Sequence, residues 1–167
     1  MRKAKPVEQA KGGNKPSKGA YPFTRYEASP YPAMHGKVFF TDNGVNYVCS
    51  GTALTSSNRS TVWTAGHCVN DGAGTFHTNW AFVPGYRNGS APYGTWTARN
   101  LWTSSSWNGS GDFSYDVGAA AVATNGGQSL TDVVGGRGIA FNYSRNQSFV
   151  DYGYPAAPPF DGSKLWV

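Results

Sequence analysis

Charge is scarce in this chain of 167 residues: Asp, Glu, Lys and Arg together make up 14%. Disordered chains show the opposite balance, with many charges and few large apolar groups. A low-charge chain in which 15% of residues are aromatic reads instead as a folded one. Long apolar runs are missing as well, and none approaches the roughly 18 residues that suggest a membrane-spanning helix. There is no strong amphipathic helix pattern and no repeat of solenoid type. Glycine and proline, 22 and 10 residues, make the chain turn-rich but stay below the level that marks disorder. The length fits one ordinary domain or two small ones.

An excess of either charge sign is also missing from most of the chain. The net charge of +5 sits in residues 1–20, which hold six basic residues and one acidic residue, whereas 21–167 hold eight of each. The basic character therefore belongs to an arm, which excludes the argument from net charge to nucleic-acid binding. The arm contains one Val and no aromatic. It cannot bury enough surface to offset its ordering entropy, so residues 1–20 are expected to be disordered. It lacks the apolar stretch of a signal peptide. If the protein is secreted, the expectation is an export signal upstream of Met1 or a Met1 that is not the natural start.

The remainder consists of short β-branched and aromatic runs broken by Gly, Asn, Asp and Pro. Runs at 37–40, 45–48, 51–54, 61–64, 80–83, 93–102 and 117–122 predict about six strands in a barrel or sandwich. Asp42-Asn43-Gly44 between the first two runs predicts a hairpin turn. Two glycine pairs mark 125–137 as a connection, and a second strand series is expected at 138–141 and 148–152. The chain closes on Lys164-Leu165-Trp166-Val167, an apolar run without a polar cap, which favours a fragment of a longer protein.

Two cysteines, Cys49 and Cys68, in a β-rich chain of extracellular character suggest one disulfide. A zinc site formed by Cys49, Cys68, His67 and His77 is the alternative, although no CxxC-type spacing supports it. His67 sits beside Cys68, directly after the run ending at Trp63 and Thr64. A general base needs such a pinned backbone, because its geometry must hold to a fraction of an ångström. His35 and His77 have no comparable context and are expected to be structural.

Cys49-Ser50-Gly51-Thr52-Ala53-Leu54 followed by Thr64-Ala65-Gly66-His67-Cys68 resembles the trypsin/chymotrypsin-like serine peptidases. Tyr115-Asp116-Val117-Gly118-Ala119-Ala120 resembles the segment that carries that family's catalytic Asp. Gly138-Ile139-Ala140-Phe141-Asn142 and Gly153-Tyr154-Pro155-Ala156 resemble the opening of its second barrel. The flavour is that of the bacterial glutamyl-endopeptidase-like branch, over about residues 33–167. The resemblance implies an all-β, antiparallel six-stranded barrel over 21–124, the connection 125–137, and the truncated start of a second barrel over 138–167. It implies His67 as base, Asp116 as its orienter with Asp112 as competitor, and a Cys49–Cys68 disulfide flanking the base. It further implies a secreted endopeptidase acting on protein or peptide substrates. No cofactor, metal, nucleic-acid or membrane partner is expected, and the complete protein is expected to be a monomer.

One departure from the family pattern is large. The nucleophile is expected in a Gly-x-Ser-Gly-Gly motif, and the chain has no Ser followed by Gly-Gly. Its Ser-Gly pairs, Ser50-Gly51 and Ser110-Gly111, lie ahead of Asp116, and Asp161-Gly162-Ser163 has the letters in the wrong order. The expectation is a chain missing its nucleophile and inactive alone. A pseudo-peptidase or a β-barrel binding module is the alternative.

Overall fold

The computed structural model describes residues 27–28, 30, 32–144 and 146–167. The basic arm expected over 1–20 lies outside the described residues. Among these residues six strands form: β1 (His35–Asp42), β2 (Val45–Leu54), β3 (Thr61–Thr64), β4 (Thr78–Pro84), β5 (Trp96–Thr103) and β6 (Gly118–Val122). They pair antiparallel and close in the order β1-β2-β3-β6-β5-β4. Closure removes every sheet edge and lets all six strands bury one face. This is the all-β six-stranded barrel that the sequence predicts.

The β1–β2 hairpin turns at Asn43 and Gly44, with φ of 46° and 76°. Left-handed backbone at both central positions suits the tight hairpin turn whose twist matches the strands, and Asn-Gly adopts it at low cost. The two runs expected at 45–48 and 51–54 are one strand, because Cys49 and Ser50 between them pair with Val38 and Lys37 and continue the ladder. Inward positions carry Val38, Phe40, Ala53, Val62, Phe82, Trp96, Ala120 and Val122, all buried. Each large side chain among them contributes about 1.5–3 kcal/mol by leaving water. Gly36 lets β1 approach β4, since a Cβ there would lie 2.5 Å from the Phe82 ring.

Two single-turn helices, which the apolar pattern does not reveal, complete this part. α1 (Ser105–Ser110) starts on the Ser104 hydroxyl, which accepts from the Trp107 amide, and ends on Gly111 in the left-handed region. α2 (Leu130–Val134) lies within the expected connection and adds buried Leu130 and Val134 to the barrel core. Beyond it, the Arg137 amide donates to the Ala53 carbonyl (2.9 Å), while the Ala53 amide donates to the Met34 carbonyl (2.8 Å).

The strands expected at 138–141 and 148–152 do not form. Among the described residues, 138–167 holds no regular strand. It makes the isolated bridge Gly153↔Trp166, and Trp166 also bridges Glu27. A small second core forms from Ala28, Tyr154 and Leu165, with Tyr86, Tyr152 and Val167 packed against it. No helix among the described residues is long and apolar enough to cross a membrane.

Candidate active site

The barrel brings His67 and Asp116 together across 49 residues of sequence. β3 ends at Thr64, whose hydroxyl donates to the Ser50 carbonyl (2.8 Å), and the chain then folds into a 3₁₀ turn over Gly66–Cys68. Cys68 is bonded to Cys49 of β2, with their Cα atoms 6.1 Å apart, inside the usual span of a bridge. The turn carrying His67 is therefore tied covalently to the neighbouring strand wall.

Asp116 closes a second 3₁₀ turn, Phe113–Tyr115, directly ahead of β6. The loop is pinned twice from β5 and its exit: Thr103 Oγ1 donates to the Val117 carbonyl and Ser104 Oγ to the Tyr115 carbonyl, both at 2.8 Å. So held, the Asp116 carboxylate takes His67 at two points. Oδ1 accepts from the His67 amide at 2.7 Å, and Oδ2 accepts from Nδ1–H at 2.8 Å. Because the carboxylate only accepts, Nδ1 carries the proton and Nε2 is left as the basic nitrogen. Asp116 is mostly buried, with 17% of its side chain exposed, while the His67 ring keeps 33% exposed. Low local dielectric strengthens the contact while part of the ring stays open to solvent.

The approach is close enough to require Gly66. A Cβ there would lie 2.9 Å from each of Asp116 Oδ1, Thr103 Oγ1 and Trp107 Cδ1. Trp107 of α1, buried, stands edge-on to the His67 ring at 6.3 Å between centroids. Sequence reading misses Trp107; an aromatic isolated in a Ser/Gly-rich loop is the one available signal.

Asp112, the competing carboxylate, does not reach His67. Its Oδ1 caps the 3₁₀ turn by accepting from the Ser114 amide at 2.9 Å. The zinc alternative fails on covalent grounds. The ligand atoms of Cys49, His67 and Cys68 lie within 4.8 Å of one another, but the two sulfurs are joined in the disulfide and are not thiolates. His77 points its Nε2 at the His67 carbonyl instead. His35 bridges regions: its Nδ1 is 2.9 Å from Thr52 Oγ1 and its ring stacks on Tyr152 at 4.4 Å. Burial, helped by the Arg137 charge, pushes the His35 imidazole down to about 4.

The serines singled out in sequence are engaged elsewhere. Ser50 Oγ accepts from the Tyr154 amide (2.8 Å) and Ser110 Oγ donates to the Ser106 carbonyl (2.8 Å). Asp161 of the Asp161-Gly162-Ser163 turn accepts from the Ser163 amide (2.8 Å).

No family model matches the chain. Protease Anisep from Arthrobacter nicotinovorans is 48% identical, over 86% of this chain and 65% of that one, with a TM-score of 0.82. A thermostable serine protease, AL20, from an extremophilic microorganism is 45% identical over 80% and 63% of the two chains, with a TM-score of 0.77. A Glu endopeptidase at 22% identity, covering 70% of this chain and 51% of that one, shares the fold with a TM-score of 0.54. The extracellular metalloprotease of Bacillus subtilis (strain 168) is 29% identical over 102 residues, which is 60% of this chain and 32% of that protein. The chain thus spans under two-thirds of each of these proteins. Near-half identity, with TM-scores of 0.82 and 0.77, makes the chain similar in both sequence and fold to two proteases, of which AL20 is a serine protease.

Proposed function

We propose that the chain carries the base-and-orienter half of a secreted serine endopeptidase. His67 Nε2 takes the proton of an attacking serine hydroxyl and returns it to the leaving amine. Asp116 fixes the Nδ1–H tautomer and stabilises the imidazolium that forms. These roles follow the general Ser-His-Asp scheme. The observation that carries the reading is the two-point grip of Asp116 on the His67 amide and ring.

No Ser-Gly-Gly occurs in the sequence. We therefore place the nucleophile, the oxyanion-hole amides and the specificity contacts outside it, and read 138–167 as the opening of a second barrel. The disulfide fits an oxidising compartment, hence secretion. The name of the Bacillus subtilis relative points to metal-assisted chemistry in that protein. Here both sulfurs beside His67 are bonded to each other, which leaves too few donors for a ligand set at this turn. The missing Ser-Gly-Gly favours a second reading, a non-catalytic barrel module.

The test compares the isolated chain with a chimera that joins it to the unmatched C-terminal portion of a serine protease of this fold, both offered a broad peptide pool. The chain alone should be inert and the chimera active. Asp116→Asn should lower chimera turnover by about 10⁴-fold, and His67→Ala by about 10⁶-fold. A chimera that folds and is inert supports the binding module. Turnover by the isolated chain that His67→Ala abolishes would mean that the nucleophile lies within these residues.

A further inference from the structure

The carbonyls that follow His67 form a row, and each has a dedicated donor. The His67 carbonyl accepts from His77 Nε2–H at 3.1 Å and the Cys68 carbonyl from Trp80 Nε1–H at 2.9 Å. The Val69 carbonyl accepts from the His77 amide at 2.9 Å and the Asn70 carbonyl from Trp107 Nε1–H at 3.1 Å. Short turns expose carbonyls that secondary structure leaves unpaired, and a buried unpaired carbonyl costs about 1–3 kcal/mol. Three rings from β4, α1 and the loop before β4 therefore cap the turn that carries the proposed base. Two are indoles, which only donate. The third is an imidazole, whose donor must be placed by its surroundings.

Those surroundings are specific. The His77 side chain is 3% exposed and stacks on Phe40 of β1 at 4.4 Å. A carbonyl can only accept, so Nε2 carries the proton. Among the described residues Nδ1 has no hydrogen-bond partner, and it faces Asp42 Oδ1 at 3.5 Å. A second carboxylate, Asp71, lies close by on the loop after the turn. Burial pushes Asp71 up, but hydrogen bonds from Thr75 and Ala73 outweigh this and hold it low. Whether the ring is neutral or charged, the bond to the His67 carbonyl keeps a proton on Nε2.

The two peptide groups flanking the His67 Cα are thus held from opposite sides. Asp116 takes the N–H and His77 takes the C=O. We propose that His77 is a positioning residue for His67: by holding the His67 carbonyl it sets the angle at which the ring meets Asp116. This rests on the catalytic reading of His67 and adds a residue to it. A local sequence scan does not find it, since His77 lies ten residues on, in a run without any motif.

The test uses the full chain labelled with ¹⁵N-histidine and observed by NMR at a pH where His67 is protonated and well below the melting temperature. The wild type should show one strongly deshielded proton, the His67 Nδ1–H held by Asp116. His77→Gln keeps a donor where Nε2 stood, while His77→Met has the same length and no donor, and His77→Phe keeps the stack on Phe40 without a donor. The deshielded signal should persist in the Gln variant and be lost or broadened in the Met and Phe variants. Exchange of the His67 amide should rise about tenfold in Met and Phe and stay within about twofold of wild type in Gln. An unchanged signal in a folded Met or Phe variant overturns the proposal. So does equal loss in folded Gln and Met variants, which would make His77 a matter of packing alone. Asp116→Asn separates the two readings: if it leaves the deshielded proton in place, the catalytic pairing itself is wrong, whatever His77 does.

Discussion

The barrel, residues 35–134, and the stretch 138–167 are built from similar residues and behave differently. Both contain short runs of β-branched and aromatic residues; what separates them is partners. In the barrel, Thr61-Val62-Trp63-Thr64 pairs with β2 on one side and β6 on the other. In the second stretch, Ile139, Phe141, Phe149 and Val150 stand exposed, with Phe141 at 71%. The stretch is held by side-chain and loop contacts in place of a ladder. The Lys37 ammonium donates to the Gly162 carbonyl, the Asn88 amide to the Ser163 carbonyl, and Leu165 and Tyr154 fill the small second core. Strand formation is a tertiary event: residues of high β-propensity become strands where a ladder receives both sides of their backbone.

The sharpest test of this contrast is Phe82→Ala. Phe82 is fully buried in the barrel, so the loss should be about 4 kcal/mol in denaturant unfolding. Replacing Cys49 and Cys68 by Ala together should cost about 3 kcal/mol, from the loop of 19-residue separation that the bridge closes. Calorimetry should show that loss in the barrel transition.

Acid should act on the seam between the regions, where His35 of β1 stacks on Tyr152. Its folded-state value of about 4 lies below the ordinary imidazole value near 6.5. Between those limits the unfolded chain binds more protons, so stability should fall as pH drops, by about 3 kcal/mol. Melting curves across that window, with His35→Gln flattening the slope, check the assignment. A slope that the variant leaves intact would place the effect on other groups.

Lys37→Met should free the second stretch and spare the barrel. Burial pushes the Lys37 ammonium down, with Asp161 acting against this, and its cation also lies 4.8 Å from the Tyr86 ring centre. Limited proteolysis within 138–163 should accelerate by about tenfold, while barrel stability moves by no more than about 1 kcal/mol. The smallest effect is expected for Phe141→Ser, under about 0.5 kcal/mol, with reduced self-association in light scattering as its visible result. A large destabilisation by Phe141→Ser would break the comparison, since it would show 138–151 to be packed in solution.

Much of this was legible in sequence where local chemistry dictates structure. Asn43-Gly44 announces its turn because few other pairs take left-handed backbone at two positions. The Cys–His block and the Asp116 segment carry their placement in adjacent residues. What was not legible depends on distant partners. Leu130 and Val134 span too short a helix to show a period, yet they plug the core. His77 gains its role from a carbonyl ten residues earlier. The runs at 138–141 and 148–152 have the letters of strands, and nothing in those letters says whether a neighbour is present.

The two hydrogen bonds of Ala53, its amide donating to Met34 and its carbonyl accepting from Arg137, have a topological consequence. The chain enters and leaves the barrel beside the same β2 residue, so the two ends of the 34–137 unit are neighbours. Such a unit can be grafted into a surface loop of another protein through short linkers without stretching either scaffold. Equally, residues 34 and 137 can be joined and the chain reopened at the Asn43-Gly44 turn, giving a circular permutant with the same barrel and with new termini at the hairpin.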